Sequence, residues 1–324
     1  MADPEQGNQT FVTEFILLGF GDLPELQTFL FMLFLVTYIL TLVGNILIVA
    51  LVVTDQQLHT PMYFFLGNLS CLEICYTSAI LPKMLLSLLT KENGISLSGC
   101  FLQFYVFGSL ACSECYLLSM MSYDRYLAIC KPLHYGALMN SKFRIQLAVG
   151  SWISGFVADA FTSLMASQLT FCGPNTIDHF FCDYTPLLVL SCSDTHTTER
   201  VMSIIGTMCT VPPFLLTLTS YICIIATILK IPSTTGRRKT FSTCSSHLVV
   251  VTIFYGSLMT VYLLPKNDIL RDQNKLFSVF YAILTPLLNP LIYSLRNKEF
   301  RAALRKAVSK FVPLLRTQRI QALF

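Results

Sequence analysis

The stretch Met120-Met121-Ser122-Tyr123-Asp124-Arg125-Tyr126-Leu127-Ala128-Ile129-Cys130-Lys131-Pro132-Leu133-His134-Tyr135 closes a long apolar run that begins near Cys100. At about 1.5 Å per helical residue, Cys100 to Cys130 spans about 45 Å, enough to cross a bilayer with its headgroups. Asp124 and Arg125 stand where that helix leaves the hydrocarbon. Pro132 then stops it, because proline has no N–H to donate and its ring clashes with the preceding turn. An adjacent acid and base at a helix end is ordinarily a solvated pair. Seven membrane spans in the same chain change that reading.

The 324 residues are 54% hydrophobic and 12% charged, with a mean hydropathy of +0.62. Soluble domains carry about 25% charged residues, so a polytopic membrane protein is the class that fits. Seven apolar runs stand out, at 27–53, 61–89, 98–123, 145–167, 201–229, 247–264 and 276–295. Glu73, Glu114 and Asp159 are the only acids well inside them. The expected fold is an all-α membrane protein, a seven-transmembrane helix bundle with a short amphipathic eighth helix. It divides into an outer N-terminal segment (1–26), the bundle (27–296) and an inner amphipathic helix with its tail (297–324).

No cleavable signal peptide is visible, since the first 25 residues carry five acids and no Lys or Arg. Charge then orients the first span. With the N-terminus outside, only Lys83, Lys91, Arg200, Lys266, Arg271 and Lys275 of the 22 basic residues fall outside or at outer helix ends. The others face inward, which the positive-inside rule favours. The protein is thus expected in the plasma membrane, N-terminus extracellular and C-terminus cytoplasmic. The net charge of +4 reflects topology and needs no nucleic acid to explain it. Asn8-Gln9-Thr10 is a glycosylation sequon on the outer side.

The motif Met121–Tyr135, MSYDRYLAICKPLHY, resembles the olfactory form of the Asp-Arg-Tyr motif in the rhodopsin-like G protein-coupled receptors. The olfactory family usually has Ala where this chain has Ser122. Four other stretches are similar to the same family: LHTPMYFFLGNLS from Leu58, Ser220-Tyr221, RKTFSTCSSHL from Arg238, and PLLNPLIYSLRN from Pro286. Tyr255-Gly256 stands where most rhodopsin-like receptors have Trp-Pro, a mark of the olfactory branch. The resemblance runs from about Thr13 to Phe300. It implies an odorant receptor that takes small, mostly apolar volatile ligands and activates a stimulatory, olfactory-type G protein to raise cAMP.

The resemblance also assigns roles. Arg125 is to be held by Asp124 at rest and released toward Tyr221 and the G protein when active. Tyr126, His247, Tyr255, Asn289, Pro290 and Tyr293 complete the coupling set. Pro290 frees a carbonyl that Asn289 or water can meet, making a hinge. Pro212-Pro213 is expected to break the helical ladder of the fifth span. Lys298 to Phe311 reads as an amphipathic helix, with Phe300, Leu304, Val308 and Phe311 on one face and Arg301, Arg305, Lys306 and Lys310 on the other. Such a basic helix lies on an anionic leaflet, making membrane lipids a partner. Phe11, Phe15 and Phe20 carry no assignable message.

Of 12 cysteines, Cys100, Cys172, Cys182 and Cys192 face outside, so two bridges are expected, and spacing leaves three pairings open. Resemblance points to Cys100–Cys182 with Cys172–Cys192; Cys100–Cys192 is the alternative. A carboxylate at the depth of Glu73 or Glu114 costs several kcal/mol unless protonated, paired or hydrated. Two readings stay open: protonated acids bonded to neighbouring helices, or a shared sodium or proton site. In the wider family the Glu73 position is an Asp that binds sodium. No other cofactor is implied. The cysteine- and histidine-bearing runs Cys112–Cys115, His179–Asp183 and Cys244–His247 lack the partners a metal or catalytic site needs.

A ligand site is expected in the outer half. Phe104, Phe107, Gly108, Ala111 and Cys112 share one side of the third helix at i, i+3, i+4, i+7 and i+8. Met202, Ile205, Gly206 and Cys209 repeat the spacing on the fifth span, Leu258, Met259 and Tyr262 on the sixth, and Val279 and Ala282 on the seventh. Small residues leave space, apolar and sulphur-bearing walls suit a neutral molecule, and the Tyr262 hydroxyl supplies a polar handle. Amine receptors carry an Asp seven residues after the third-helix cysteine; here Phe107 stands there, and without a carboxylate in that position a cationic amine is the less expected ligand. Asp159, on the outer half of the fourth span, is the acid placed to reach a cavity.

Other functions compete less well. A non-olfactory chemoreceptor of the same fold is the nearest alternative. An intramembrane aspartyl protease needs a GxGD partner to Tyr123-Asp124, and none is present. A transporter calls for internal repeats or paired broken helices. A retinal-type light sensor requires a lysine midway along the seventh span, where none follows Lys275 before Lys298.

Overall fold

The computed structural model describes residues 12–21, 24–263, 268–297 and 299–309. Among these, seven helices are long and apolar enough to cross a membrane. They are α1 (Pro24–Thr54), α2 (Pro61–Thr90), α3 (Leu97–Cys130), α5 (Ser141–Ser167), α7 (His196–Leu229), α8 (Thr234–Tyr262) and a composite seventh. The seventh joins α9 (Asp268–Val279), a π-helical turn (Phe280–Leu284) and α10 (Thr285–Arg296). Short helices α4 (Pro132–Leu138) and α6 (Tyr184–Val189) lie between spans, and α11 covers 299–309.

Helix starts follow local chemistry. Pro61 opens α2, where its missing N–H costs nothing. Ser96 accepts from Gly99 N–H at the start of α3, Asn140 from Phe143 N–H at α5, and Ser233 from Gly236 N–H at α8, each meeting a donor the helix leaves open. α3 is the axis: it packs on α2, α5, α7 and α8, and its polar residues Ser109, Ser113, Glu114 and Ser119 are fully buried. By contrast Phe29, Val36, Val43 and Val53 of α1 stand exposed, as a helix facing lipid requires.

Several expectations need correction. The sixth span, expected to start from Arg237-Arg238-Lys239 ahead of its apolar run, is helical from Thr234. Pro212 and Pro213 remove two N–H groups from the ladder of α7, and the helix nevertheless continues through both. α11 does not simply rest on lipid by its apolar face. Phe300 is buried in the protein, Val308 is exposed, Tyr63 Oη donates to Glu299 Oε2 at 3.1 Å, and Lys306 pairs with Asp55 at 3.1 Å. Asn8, Lys310 and Phe311 lie outside the described residues.

The bundle is not purely helical. A three-stranded sheet ordered β2-β1-β3 covers one end, from β1 (Glu14–Leu17), β2 (Gly94–Ser96) and β3 (Thr176–Ile177). β1 runs antiparallel to β2 and parallel to β3. Phe15, silent in the sequence, is wholly buried edge-on to Phe171, and Phe20 stacks between Phe34 and Phe180. At the same end Cys100 is bonded to Cys182, and Cys172 to Cys192. The first bridge pins the β3–α6 segment to the top of α3, with Gln103 Oε1 accepting from Cys182 N–H at 3.0 Å beside it.

A bridge of that kind typically contributes 2–4 kcal/mol, so Cys182→Ser should lower the Tm of the purified protein and retain most of it inside transfected cells. Surface staining and a melting curve check this. Normal surface staining of Cys182→Ser together with loss in Cys192→Ser would favour the Cys100–Cys192 pairing instead.

Candidate functional site

Near the sheet-covered end, α3, α5, α6, α7 and α8 enclose a cavity of about 120 Å³. Phe104, Phe107, Gly108, Ala111 and Cys112 line it from α3, Met202, Ile205 and Gly206 from α7, and Leu258 and Tyr262 from α8. Four residues of the expected set do not line it: Cys209, Met259, Val279 and Ala282. Cys209 is buried against the Cys112 thiol, and Ala282 is closed within the core at the π-turn. That turn has a plain cause. Pro286 has no N–H to return to Ala282, and the ladder widens before it. The cavity therefore lies toward α5, away from the seventh helix.

The residues missed are mostly polar. Ser203, Thr207 and Thr210 of α7, Thr162 of α5, and Asp183 and Tyr184 at the start of α6 all face the cavity, beside Asp159 of α5, which the sequence had singled out. The α7 trio follows the same helical spacing as its apolar neighbours, and a search for an apolar stripe passes over it. The Asp159 carboxylate accepts from Thr162 Oγ1 at 2.8 Å and Ser163 Oγ at 3.3 Å, and a Cβ added at Gly108 would collide with it. The Tyr262 hydroxyl, expected to serve a ligand, donates to Asp183 Oδ1 at 2.8 Å and lies 3.0 Å from Tyr281 Oη. It is engaged within the protein.

Below the cavity Glu73 and Glu114 are fully buried. Asn289 Nδ2 donates to Glu73 Oε1, so it does not meet the carbonyl that Pro290 leaves open. That carbonyl, on Pro286, accepts from Asn45 Nδ2 at 3.3 Å instead. Pro290 itself packs so close to α1 that a Cβ at Gly44 would stand 2.7 Å from its ring. Glu73 Oε2, both Glu114 carboxyl oxygens, and the side-chain oxygens of Asn45 and Asn289 have no hydrogen-bond partner. An all-oxygen set of this kind suits a hard cation such as sodium. Among the described residues no group of three or more His, Cys, Asp or Glu side chains is gathered as for a metal.

At the far end of α3, Asp124 Oδ1 accepts from Tyr135 Oη of α4 at 2.8 Å, a partner the sequence did not single out. Arg125 is buried and reaches the Cys244 thiol of α8. Tyr221 Oη and His247 Nδ1 lie 2.7 Å apart, and Tyr126 packs against Tyr221, Ile224 and Cys244. α3, α7 and α8 are thus joined by side chains at this end. Tyr255 sits deeper, donating to the Cys115 carbonyl at 2.6 Å. The Tyr293 side chain lies outside the described residues.

These features define a bundle of seven membrane-spanning helices with a cavity at one end and a side-chain junction of α3, α7 and α8 at the other. Squid rhodopsin overlays it with a TM-score of 0.65, covering 86% of this chain and 83% of that one at 18% identity, a likeness of fold. The olfactory receptor family model matches residues 34–310. Human olfactory receptor 11A1 is 51% identical over 93% of this chain and 95% of its own length. Human olfactory receptor 6F1 is 52% identical over 93% and 98%, and mouse olfactory receptor 5AP2 48% over 94% and 96%. The chain belongs to the olfactory receptor family. It is accordingly a multi-pass protein of the plasma membrane.

One group in the cover is poised by burial. His179 packs against Phe180 and Phe181, accepts at Nδ1 from Phe181 N–H at 3.4 Å, and so presents Nε2–H to Ser278 Oγ at 3.3 Å. Burial first, then the nearby Lys275 charge, push its pKa down to about 3 from the ordinary 6.5. The neutral ring's contribution is present above pH 6.5 and is lost as pH falls, because the unfolded chain takes up a proton there and the folded one does not. Tm measured from pH 7.5 to 4.5 should fall more steeply for wild type than for His179→Gln. Parallel curves would show that His179 contributes nothing to the acid sensitivity.

Proposed function

We propose that this olfactory receptor takes small, mostly apolar volatile odorants into the cavity bounded by α3, α5, α7 and α8, and answers by activating a stimulatory G protein of the olfactory type, raising cAMP. The cavity carries the reading. Its volume is close to the ~150 Å³ of apolar protein cavities that hold benzene. Its walls combine aromatic, aliphatic and thiol side chains with hydroxyls and the Asp159 and Asp183 carboxyls, the make-up of sites for small organic ligands. A ligand of about ten heavy atoms without a strong charge contact should bind in the micromolar class.

In the proposed orientation the sheet and disulfides are extracellular, where thiols oxidise, and α11 with the basic α8 start is cytoplasmic. The exposed Arg301 and Arg305 then meet the anionic inner leaflet, and Asn8 lies on the side where glycosylation occurs. An odorant wedged against Gly108 and Gly206 favours one arrangement of α3 against α7 and α8 over another. The same three helices carry Arg125, Tyr221 and His247 at the other end. A shift between them there exposes or covers the Arg125 surface that a G protein reads, with Asp124, Tyr126, Tyr255, Asn289, Pro290 and Tyr293 setting the resting arrangement. The Glu73–Glu114 pair is the candidate sodium or proton site of that arrangement.

Two variants test the two ends separately. Arg125→Ala should reach the surface and lose the cAMP response to every agonist, while Gly108→Leu should lose agonist potency at least about tenfold, equivalent to 1.4 kcal/mol. A normal cAMP response from Arg125→Ala sinks the coupling assignment. Unmoved potencies in a surface-expressed Gly108→Leu place the odorant elsewhere.

A further inference from the structure

The cavity is not neutral. Asp159 lines it from α5, in the middle of a membrane-spanning helix, and is almost fully buried. Its two oxygens each accept one hydroxyl, from Thr162 and from Ser163. No ion pair among the described residues involves it. A carboxylate offers about four acceptor sites, so half of its capacity is open toward the cavity it lines. Thr162 Oγ1 shares its single proton between this carboxyl and the Asp159 carbonyl 3.0 Å away, so the carboxyl holds only part of that donor. What this arrangement lacks is a positive donor. Buried carboxylates are ordinarily paired, because an isolated charge in a low-dielectric site is costly.

Position singles Asp159 out from its neighbour. Asp183, the other acid of the cavity wall, also receives two donors, but one of them, the Tyr262 hydroxyl at 2.8 Å, ties it across to α8, while the Tyr184 N–H at 2.8 Å fixes it at the start of α6. It sits on the loop pinned by Cys182. Asp159 faces α3 at Gly108, the one place on that stripe where the absence of a side chain lets a carboxylate approach. Gly108 thus makes room for Asp159 as well as for a ligand.

We infer that Asp159 is a specificity-determining residue, and that the agonists of this receptor include small primary or secondary amines with a hydrocarbon body, whose ammonium it accepts. This rests on the cavity being the odorant site, and narrows the ligand class within it. A site built to pair a charged group discriminates against analogues that lack it, because the buried carboxylate would otherwise be left without its partner.

Direct binding to purified full-length receptor in lipid nanodiscs separates this from the G protein reading. Three probes share one ring: cyclohexylamine, protonated at pH 7.4, cyclohexanol and methylcyclohexane. Wild type should bind the amine at least about tenfold more tightly than the alcohol, as a charge-assisted hydrogen bond exceeds a neutral one. Asp159→Asn, which keeps the size and one of the two accepted hydroxyls while removing the charge, should erase that preference and leave cyclohexanol unchanged. Equal affinity of amine and alcohol for wild type overturns the inference while leaving the cavity reading intact. So does a preference retained in Asp159→Asn. The wild-type comparison needs no variant, so a folding failure of Asp159→Asn leaves the first criterion standing. If none of the three probes binds wild type, the cavity is not a ligand site and both readings fall together.

Discussion

Hydrocarbon offers no water to an unpaired backbone group, and the bundle is shaped by that constraint. Every proline inside a span removes one N–H and strands one carbonyl four residues earlier. The carbonyl stranded by Pro290 is met from another helix, by Asn45 of α1. Pro286 is handled differently: the helix opens into a π-turn, with Thr285 Oγ1 donating to the Phe280 carbonyl at 3.0 Å. The Gly-Asn pair of α1 serves both ends of this junction, Gly44 by letting Pro290 approach and Asn45 by supplying the donor. Once the seventh helix is fixed in this way, Asn289 is free to reach Glu73.

Close approach sets the position of the cavity. A Cβ on Gly155 of α5 would collide with the Ser109 carbonyl and Ser113 of α3, so these two helices touch backbone to backbone at that level. One helical turn toward the sheet, Asp159 packs on Gly108, and the space beyond opens between α3 and α7. The α3–α5 contact is therefore tight below and spread above. The space it leaves is lined by the Cys112 thiol and several hydroxyls together with Phe104, Met202, Ile205 and Leu258.

The seven spans were legible because apolar runs and bilayer thickness leave little freedom, and the third-helix stripe was legible because α3 is the axis that all inner surfaces face. The seventh-helix contributors were misplaced for a local reason. Ideal 3.6-residue spacing was carried through a π-turn, which rotates Val279 and Ala282 out of register with the cavity. Asn289 was matched to the wrong acceptor because sequence shows which carbonyl is stranded but not which helix reaches it. The polar lining of α7 and the place of Asp183 depend on tertiary packing and on the Cys100–Cys182 bridge. Phe15 and Phe20 carried no sequence signal, since short strands outside a membrane lack a periodic pattern long enough to recognise.

The sheet has a consequence for how the molecule is made. Its middle strand, β1, is the first element among the described residues, while its two neighbours end at residues 96 and 177. A ribosome adds about 5–20 residues per second, so β1 can pair with β2 early but must wait on the order of ten seconds before β3 exists. During that interval four long helices are being placed in the membrane. The cover over the cavity consequently closes only after those four helices have been made, around a strand made before any of them.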